Sequence, residues 1–235
     1  MSINFYNIKK ENIIFLFDFD GTICSEDIHF KAYCDIFKLY NIEFTKEEYV
    51  ESTNNERYKG NCTNFMIEKN FISLEEAQTI IKLKRELILS YESHIKLIPN
   101  VDIFINNIIN ITDKIAVVSN SSKIYIEFIK SKIPILNKIK YWITKDDCIK
   151  HKPNCEPYIN ALKFFNIDKN NIDKYNIIGF ENSYLGLKSI KQISSFVFGC
   201  NYDYTNKIMF NDVHYFNDYK DIIGIINNML DLNDK

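Results

Sequence analysis

Asp18 and Asp20, in the run Asp18-Phe19-Asp20-Gly21-Thr22, follow directly on five apolar residues, Ile13 to Phe17. Further groups of reactive side chains stand after later apolar runs. Ser119-Asn120-Ser121 follows Ile115 to Val118, and Lys152-Pro153 then Cys155-Glu156-Pro157-Tyr158 come past Tyr141 to Thr144. Gly179-Phe180 and then Glu181-Asn182-Ser183 follow the run Asn176 to Ile178. These are the parts that phosphoryl transfer needs. A carboxylate nucleophile divides one difficult displacement into two easier ones. A second carboxyl can protonate the departing oxygen and later activate water. A phosphate dianion repels a bare carboxylate, so a hard, oxygen-loving cation such as Mg²⁺ has to offset the charge. A lysine and small hydroxyl donors then hold the equatorial oxygens in line with attack.

Elements that bring these groups to one place are readable in the same runs. Ile-Ile-Phe-Leu-Phe is continuously apolar, as expected of a strand buried on both faces of a parallel sheet. The four later runs, the last being Phe196 to Phe198, alternate with helical patterns such as Tyr158 to Phe165, where Ile159, Leu162 and Phe165 share a side. Strands alternating with helices predict an α/β, Rossmann-like, doubly wound parallel sheet. In such a sheet ligands bind beyond the carboxyl ends of the strands, where every reactive group named above falls.

The interval between the first two strands breaks the alternation. Roughly 70 residues, about Glu26 to Leu97, contain no strand pattern, far more than an ordinary connection needs. Thr45-Lys46-Glu47-Glu48 and Ser73-Leu74-Glu75-Glu76 are capping boxes that start helices. After the second, Ala77, Ile80, Ile81, Leu87, Ile88 and Tyr91 form a stripe at helical spacing, and Ile28 to Tyr40 is another candidate helix. The expectation is a core domain made of residues 1–25 and 98–235, interrupted by an inserted all-α helical cap domain at 26–97, with the chain rejoining the core near Pro99.

Taken together, the four motifs in this order resemble the haloacid dehalogenase superfamily, in which Asp-x-Asp-Gly-Thr after a buried strand is highly specific. The resemblance implies that Asp18 is nucleophile and metal ligand, and that Asp20 is the general acid/base with its backbone carbonyl on the metal. It implies that Ser119, Asn120 and Lys152 bind the phosphoryl group, and that Glu181 and Asn182 complete the site for Mg²⁺. Asp20 resembles the phosphatases and phosphomutases, since the dehalogenases of the superfamily usually carry Tyr there and the phosphonatases Ala. Lys152-Pro153-Asn154-Cys155-Glu156-Pro157-Tyr158 and Glu181-Asn182-Ser183-Tyr184-Leu185-Gly186 resemble stretches of the β-phosphoglucomutase-like branch, which carries a helical cap over the substrate.

Departures from that branch narrow the expectation. Asn182 stands where it has aspartate, which implies weaker metal affinity unless Glu181 compensates. Asn100 replaces a common glycine at the start of the second core helix. His29, in His-Phe-Lys-Ala-Tyr, resembles a substrate-facing stretch of the mutases; contact with substrate or acid/base and a plain polar position on a cap helix both remain open. Lys59-Gly60 resembles a cap loop that reaches toward substrate. Thr63 stands where the mutase has the arginine for a distal phosphate. The resemblance therefore implies a Mg²⁺-dependent phosphatase acting on a small phosphomonoester through an aspartyl-phosphate. A phosphomutase, or a catalytically silent binding protein of this fold, is the alternative.

Bulk composition agrees with an ordinary globular chain. It has 235 residues, 46% hydrophobic and 26% charged, enough to bury a core without disulfides. The six cysteines include no Cys-x-x-Cys pair and read as reduced thiols. A net charge of −2 supplies no electrostatic reason for binding nucleic acid or anionic membrane. The first ten residues read as neither signal nor transit peptide, and no run is long enough to span a bilayer. The expectation is a cytoplasmic monomer.

Overall fold

In the computed structural model, residues 10–194, 196–201 and 210–230 are described. The segments 1–9, where a targeting peptide was sought, and 231–235, at the end of the expected core, lie outside the described residues. Among the described residues, six strands form one sheet: β1 (Ile13–Phe17), β2 (Ile115–Val118), β3 (Tyr141–Ile143), β4 (Asn176–Glu181), β5 (Phe196–Cys200) and β6 (His214–Phe216). Their order is β3-β2-β1-β4-β5-β6, and every neighbouring pair is parallel. β1 is central and all five of its residues are buried, which is why its sequence is apolar without alternation.

The two faces of the sheet bury different clusters. Phe15 and Phe17 point to one side, with α5 (Val101–Ile108), α6 (Lys123–Lys132) and α9 (Lys220–Met229) packed over them. Ile14 and Leu16 point to the other, under α7 (Glu156–Lys163) and α8 (Tyr184–Ile190). This is the period-two alternation of a strand covered on both sides, and the fold is doubly wound and Rossmann-like. On α7 the buried face is Tyr158, Ala161 and Leu162, with Ile159 half-buried, a rotation from the face read off Ile159, Leu162 and Phe165.

β6 was not anticipated. It is a three-residue edge strand whose only buried side chain is Phe216, so no apolar run announces it. It pairs beside Gly199, where an added Cβ would lie 2.5 Å from the Tyr215 ring. β4 runs to Glu181, three residues beyond the apolar run that revealed it, so Glu181 is itself the strand's last residue.

Between β1 and α5 lie α1 (Asp27–Lys38), α2 (Lys46–Asn54), α3 (Cys62–Glu68) and α4 (Leu74–Ile88), with no strand among them. Both capping boxes form: Thr45 with Glu48, and Ser73 with Glu76, each bond reciprocated. The helices enclose their own cluster, including Phe37, Phe44, Tyr58, Phe65, Met66 and Ile80. They join the sheet through two chain crossings that pair with each other. Ser25 N–H donates to Lys96 O, and Ile98 N–H to Ile23 O, each at 2.9 Å. Asn100 takes the left-handed conformation, φ +60°, and its Nδ2 donates to both oxygens of Asp218 at 2.7 and 2.9 Å, a tie that glycine could not make.

Phe104 of α5 lies at the centre of the larger core cluster, its ring 5.0–6.4 Å from those of Phe15, Phe17, Phe180 and Tyr219. Phe104→Ala is expected to lower stability by about 3–5 kcal/mol, measured as a shift of the urea unfolding midpoint.

Candidate active site at the switch point of the sheet

Strand order reverses direction between β1 and β4, and the reactive groups gather at the carboxyl ends of the strands around that point. The ladders continue one residue past the strands. Asp18 N–H donates to Phe180 O at 2.8 Å, and Ser119 N–H to Ile143 O at 2.9 Å, which fixes both backbones. The chain then turns sharply. Ile23 and Cys24 N–H both donate to Phe19 O, and Gly21 has φ +81°. A Cβ on Gly21 would lie 1.9 Å from Nδ2 of Asn182, so the glycine is required by conformation and by the carboxamide packed on it. Asn182 Oδ1 accepts from the buried Thr22 hydroxyl at 3.4 Å.

Lys152 reaches the floor of the site from the loop after β3, which precedes α7. Its Nζ donates to Asp18 Oδ1 and Glu181 Oε1, both at 2.6 Å, and to Val118 O at 2.8 Å. The ammonium also lies 4.8 Å from the centre of the Tyr158 ring. Burial alone would lower the Lys152 pKa, but the two carboxylates outweigh it and keep the group charged, above its ordinary value. Glu181 is saturated. Oε1 accepts from Lys152 and, at 3.1 Å, from Tyr158 OH. Oε2 accepts from Asn182 N–H at 2.9 Å, Ser183 N–H at 3.1 Å and Ser183 Oγ at 3.3 Å. Gly186 leaves room for this carboxylate, since a Cβ there would lie 1.7 Å from Oε1.

Asp18 has one oxygen on Lys152, and its Oδ2 makes no hydrogen bond within the described residues. Burial and the repulsion of Glu181 push its pKa up to about 8, against which Lys152 acts only in part. Two buried acids thus share one ammonium. The oxygen ligands at this point are hard: the Asp18 carboxyl and the Asn182 carboxamide, whose Oδ1 also accepts from Thr22. Those oxygen ligands, beside two acids that share one ammonium, fit a cation such as Mg²⁺, whose charge would favour the ionised form of Asp18.

Asp20 sits in a ring of donors. Its Oδ1 is 2.9 Å from His29 Nε2, and its Oδ2 accepts from Ser121 Oγ at 2.6 Å and Ser119 Oγ at 3.4 Å. Burial would raise its pKa, but the His29 ring and the Ser121 hydroxyl outweigh it, holding the carboxyl below its usual value. Burial and the nearby Lys84 lower the His29 pKa, and His29 Nδ1 is buried without a partner. The tautomer that fits carries its proton on Nε2, leaving a lone pair rather than an N–H unsatisfied. Ser119 does not cap a helix; that role belongs to Ser122 at the start of α6.

Above these groups lies a cleft of about 720 Å³ between the sheet and the helical insert. Asn120 lines it, with Oδ1 accepting from Lys152 N–H at 3.3 Å, and so does Lys59, at φ +53°. Three contributors escaped sequence reading in their roles. Ser121 holds Asp20, Tyr158 holds Glu181 and Lys152, and Lys84 faces the cleft from α4 with its Nζ 5.1 Å from the Tyr33 ring. Lys84 did leave a signal, since it interrupts the stripe Ala77, Ile80, Ile81, Ile88 at helical spacing. Thr63 is buried, and its hydroxyl donates to Asn61 Oδ1 at 2.8 Å.

A doubly wound sheet with a carboxylate pair, a lysine and a buried glutamate at its switch point defines a class of α/β proteins with an acidic site at the strand ends. The family model for haloacid dehalogenase-like hydrolases matches residues 15–179, and the chain belongs to that family. No curated protein matches it at the level of sequence. Among solved structures, it is similar to a provisionally named phosphoglycolate phosphatase from Lactobacillus plantarum, with 16% identity, 92% of this chain and 99% of that one covered, and TM-score 0.71. A provisionally named β-phosphoglucomutase from Thermotoga maritima gives 14%, 92%, 99% and 0.65. CbbY from Rhodobacter sphaeroides, in complex with xylulose-1,5-bisphosphate, gives 16%, 91%, 96% and 0.70. At such identities these likenesses speak for the fold alone.

The Asp18 environment has a consequence for stability. An acid whose pKa rises from 3.8 to about 8 on folding contributes stability that is complete below about 4 and lost as pH rises through about 8. In chelator, Asp18→Asn is therefore expected to gain stability relative to the unaltered protein steadily between those limits, read from urea midpoints across pH.

Proposed function

We propose that this chain is a Mg²⁺-dependent phosphatase that hydrolyses a small phosphomonoester through an aspartyl-phosphate on Asp18. The observation that supports it most is the shared Lys152 ammonium. It pins one oxygen of Asp18 and leaves Oδ2 for the cleft, beside a second, separately held acid, Asp20. Residues 26–97 act in this reading as a cap over the cleft, and residues 1–25 with 98–235 as the core.

Oδ2 of Asp18 attacks phosphorus in line, forming the acyl phosphate as the bond from phosphorus to the leaving oxygen breaks. Asp20 gives that oxygen its proton, then takes one from water, whose oxygen attacks phosphorus and releases Asp18 and inorganic phosphate. In the present arrangement Asp20 is held as a carboxylate by three donors. The proton it delivers must first be gained from solvent, while His29 Nε2, at 2.9 Å, holds the Asp20 carboxyl in place. Ser119, Asn120 and Lys152 hold the phosphoryl oxygens. Asp18, the Asp20 carbonyl and Asn182 would hold Mg²⁺, with Glu181 orienting Lys152 and the Asn182 backbone. Bound there, the ion would offset charge on the phosphoryl oxygens.

Thr63, turned into the start of α3, offers no cation for a distal phosphate, which favours hydrolysis over a mutase reaction. A small-molecule substrate suits the cleft, and no helix of the described residues is long and apolar enough to cross a membrane. Monomeric, cytoplasmic action without nucleic acid completes the reading.

Phosphate release across a panel of metabolite phosphomonoesters is expected to require Mg²⁺, and Asp18→Asn is expected to lower turnover on the order of 10³-fold or more. Release that survives this substitution, or chelation, would sink the proposal. Asn182→Asp adds a charge to the donor set and is expected to tighten Mg²⁺ binding in a calorimetric titration; unchanged or weaker affinity would remove Asn182 from the metal shell.

A further inference from the structure

The first amides of a helix have no acceptors within it and must find them elsewhere. On α8 the supply is divided. Asn182 and Ser183 N–H donate to Glu181 Oε2, and Gly186 N–H donates to Ser183 Oγ. The Tyr184 N–H is satisfied from outside the core. It donates to Oδ1 of Asn54 at 2.8 Å, the last residue of α2 in the insert and 130 positions earlier in the chain. Asn54 is oriented for this by its own helix, because its Nδ2 donates to Val50 O at 3.2 Å one turn back.

Two further contacts join the same segment of the insert to the same side of α8. Glu56 and Lys188 form an ion pair at 2.5 Å. Gly60 approaches Leu185 so closely that an added Cβ would lie 3.0 Å from Leu185 Cδ1. The ion pair is half-exposed and screened by solvent, so it adds little on its own. The same helices also meet the core at His29, 2.9 Å from Asp20, and through the paired crossings around Cys24 and Leu97.

We propose that Asn54 is a positioning residue. Its carboxamide, brought by the insert, completes the hydrogen bonding of the turn that carries Glu181 and Asn182, so that the seating of α2 and the order of that turn are coupled. Without that carboxamide, Tyr184 N–H loses its acceptor and the turn below it loosens. The dependence on the proposed phosphatase reading is confined to what the assembled site then does.

Amide hydrogen exchange followed by NMR on the whole chain tests this without reference to activity. Asn54→Ala is expected to speed exchange about five- to tenfold at Tyr184 and also at Asn182 and Ser183, with the central strands unchanged. Asn54→Asp, which keeps an acceptor oxygen, is expected to restore protection at all three. Glu56→Lys is expected to act in the same direction more weakly, and Glu56→Lys with Lys188→Glu to reverse it. No change at Tyr184 in Asn54→Ala, or a change confined to Tyr184, would overturn the proposal. So would an equal loss of protection in Asn54→Ala and Asn54→Asp. A protein that shows the expected exchange but releases no phosphate from any ester would count against the phosphatase reading and not against the role of Asn54.

Discussion

The Lys152 ammonium lies 2.6 Å from both Asp18 and Glu181, and all three charges are buried together at the edge of the sheet. Removing such charges from water is costly and is tolerated only when each group is hydrogen-bonded on every side. The surroundings are built to that requirement. Lys152 has a third acceptor in Val118 O and the Tyr158 ring beneath it, while Glu181 has five donors. Among the described residues, Oδ2 of Asp18 is the oxygen of this triad left without a donor. The same imbalance that makes the site fit a cation leaves Asp18 with a carboxyl that burial and Glu181 keep from ionising freely.

The scaffold follows from holding that triad. Lys152, Asp18 and Glu181 come from three separate loops or strand ends, and only a sheet with β1 between β2 and β4 brings those ends within one ammonium's reach. The aromatic stack Phe17, Phe180 and Phe198, with centroids 4.5 and 5.3 Å apart, locks these neighbouring strands side by side just below the site. On the other side of the cleft the insert supplies His29 to Asp20 and Asn54 to α8, so the core's acids are partly held by a segment outside it.

Much of this was legible in the residues. Continuous apolar runs mark strands buried on both faces, and five of the six strands show one. The capping boxes at Thr45 and Ser73 state where two helices begin, because a side chain meeting a free amide is a local event. The positions of Asp18, Ser119, Lys152 and Glu181 immediately after those runs placed them at one edge of one sheet. β6 stayed hidden because it buries a single side chain, and the working face of α7 was misjudged because Tyr158 turns inward to serve Lys152 and Glu181.

The sequence by itself determined local facts: five of the strands among the described residues, the two capped helix starts, and which reactive residues stand at strand ends. Those depend on side-chain volume, polarity and caps within a few positions. Tertiary structure decided the pairings: Lys152 between two acids, Ser121 and His29 on opposite oxygens of Asp20, Asn54 on an amide 130 residues away. Such contacts depend on strand order and on how the insert sits over the sheet. A residue's type says what it can donate or accept, but only the folded path says what it meets.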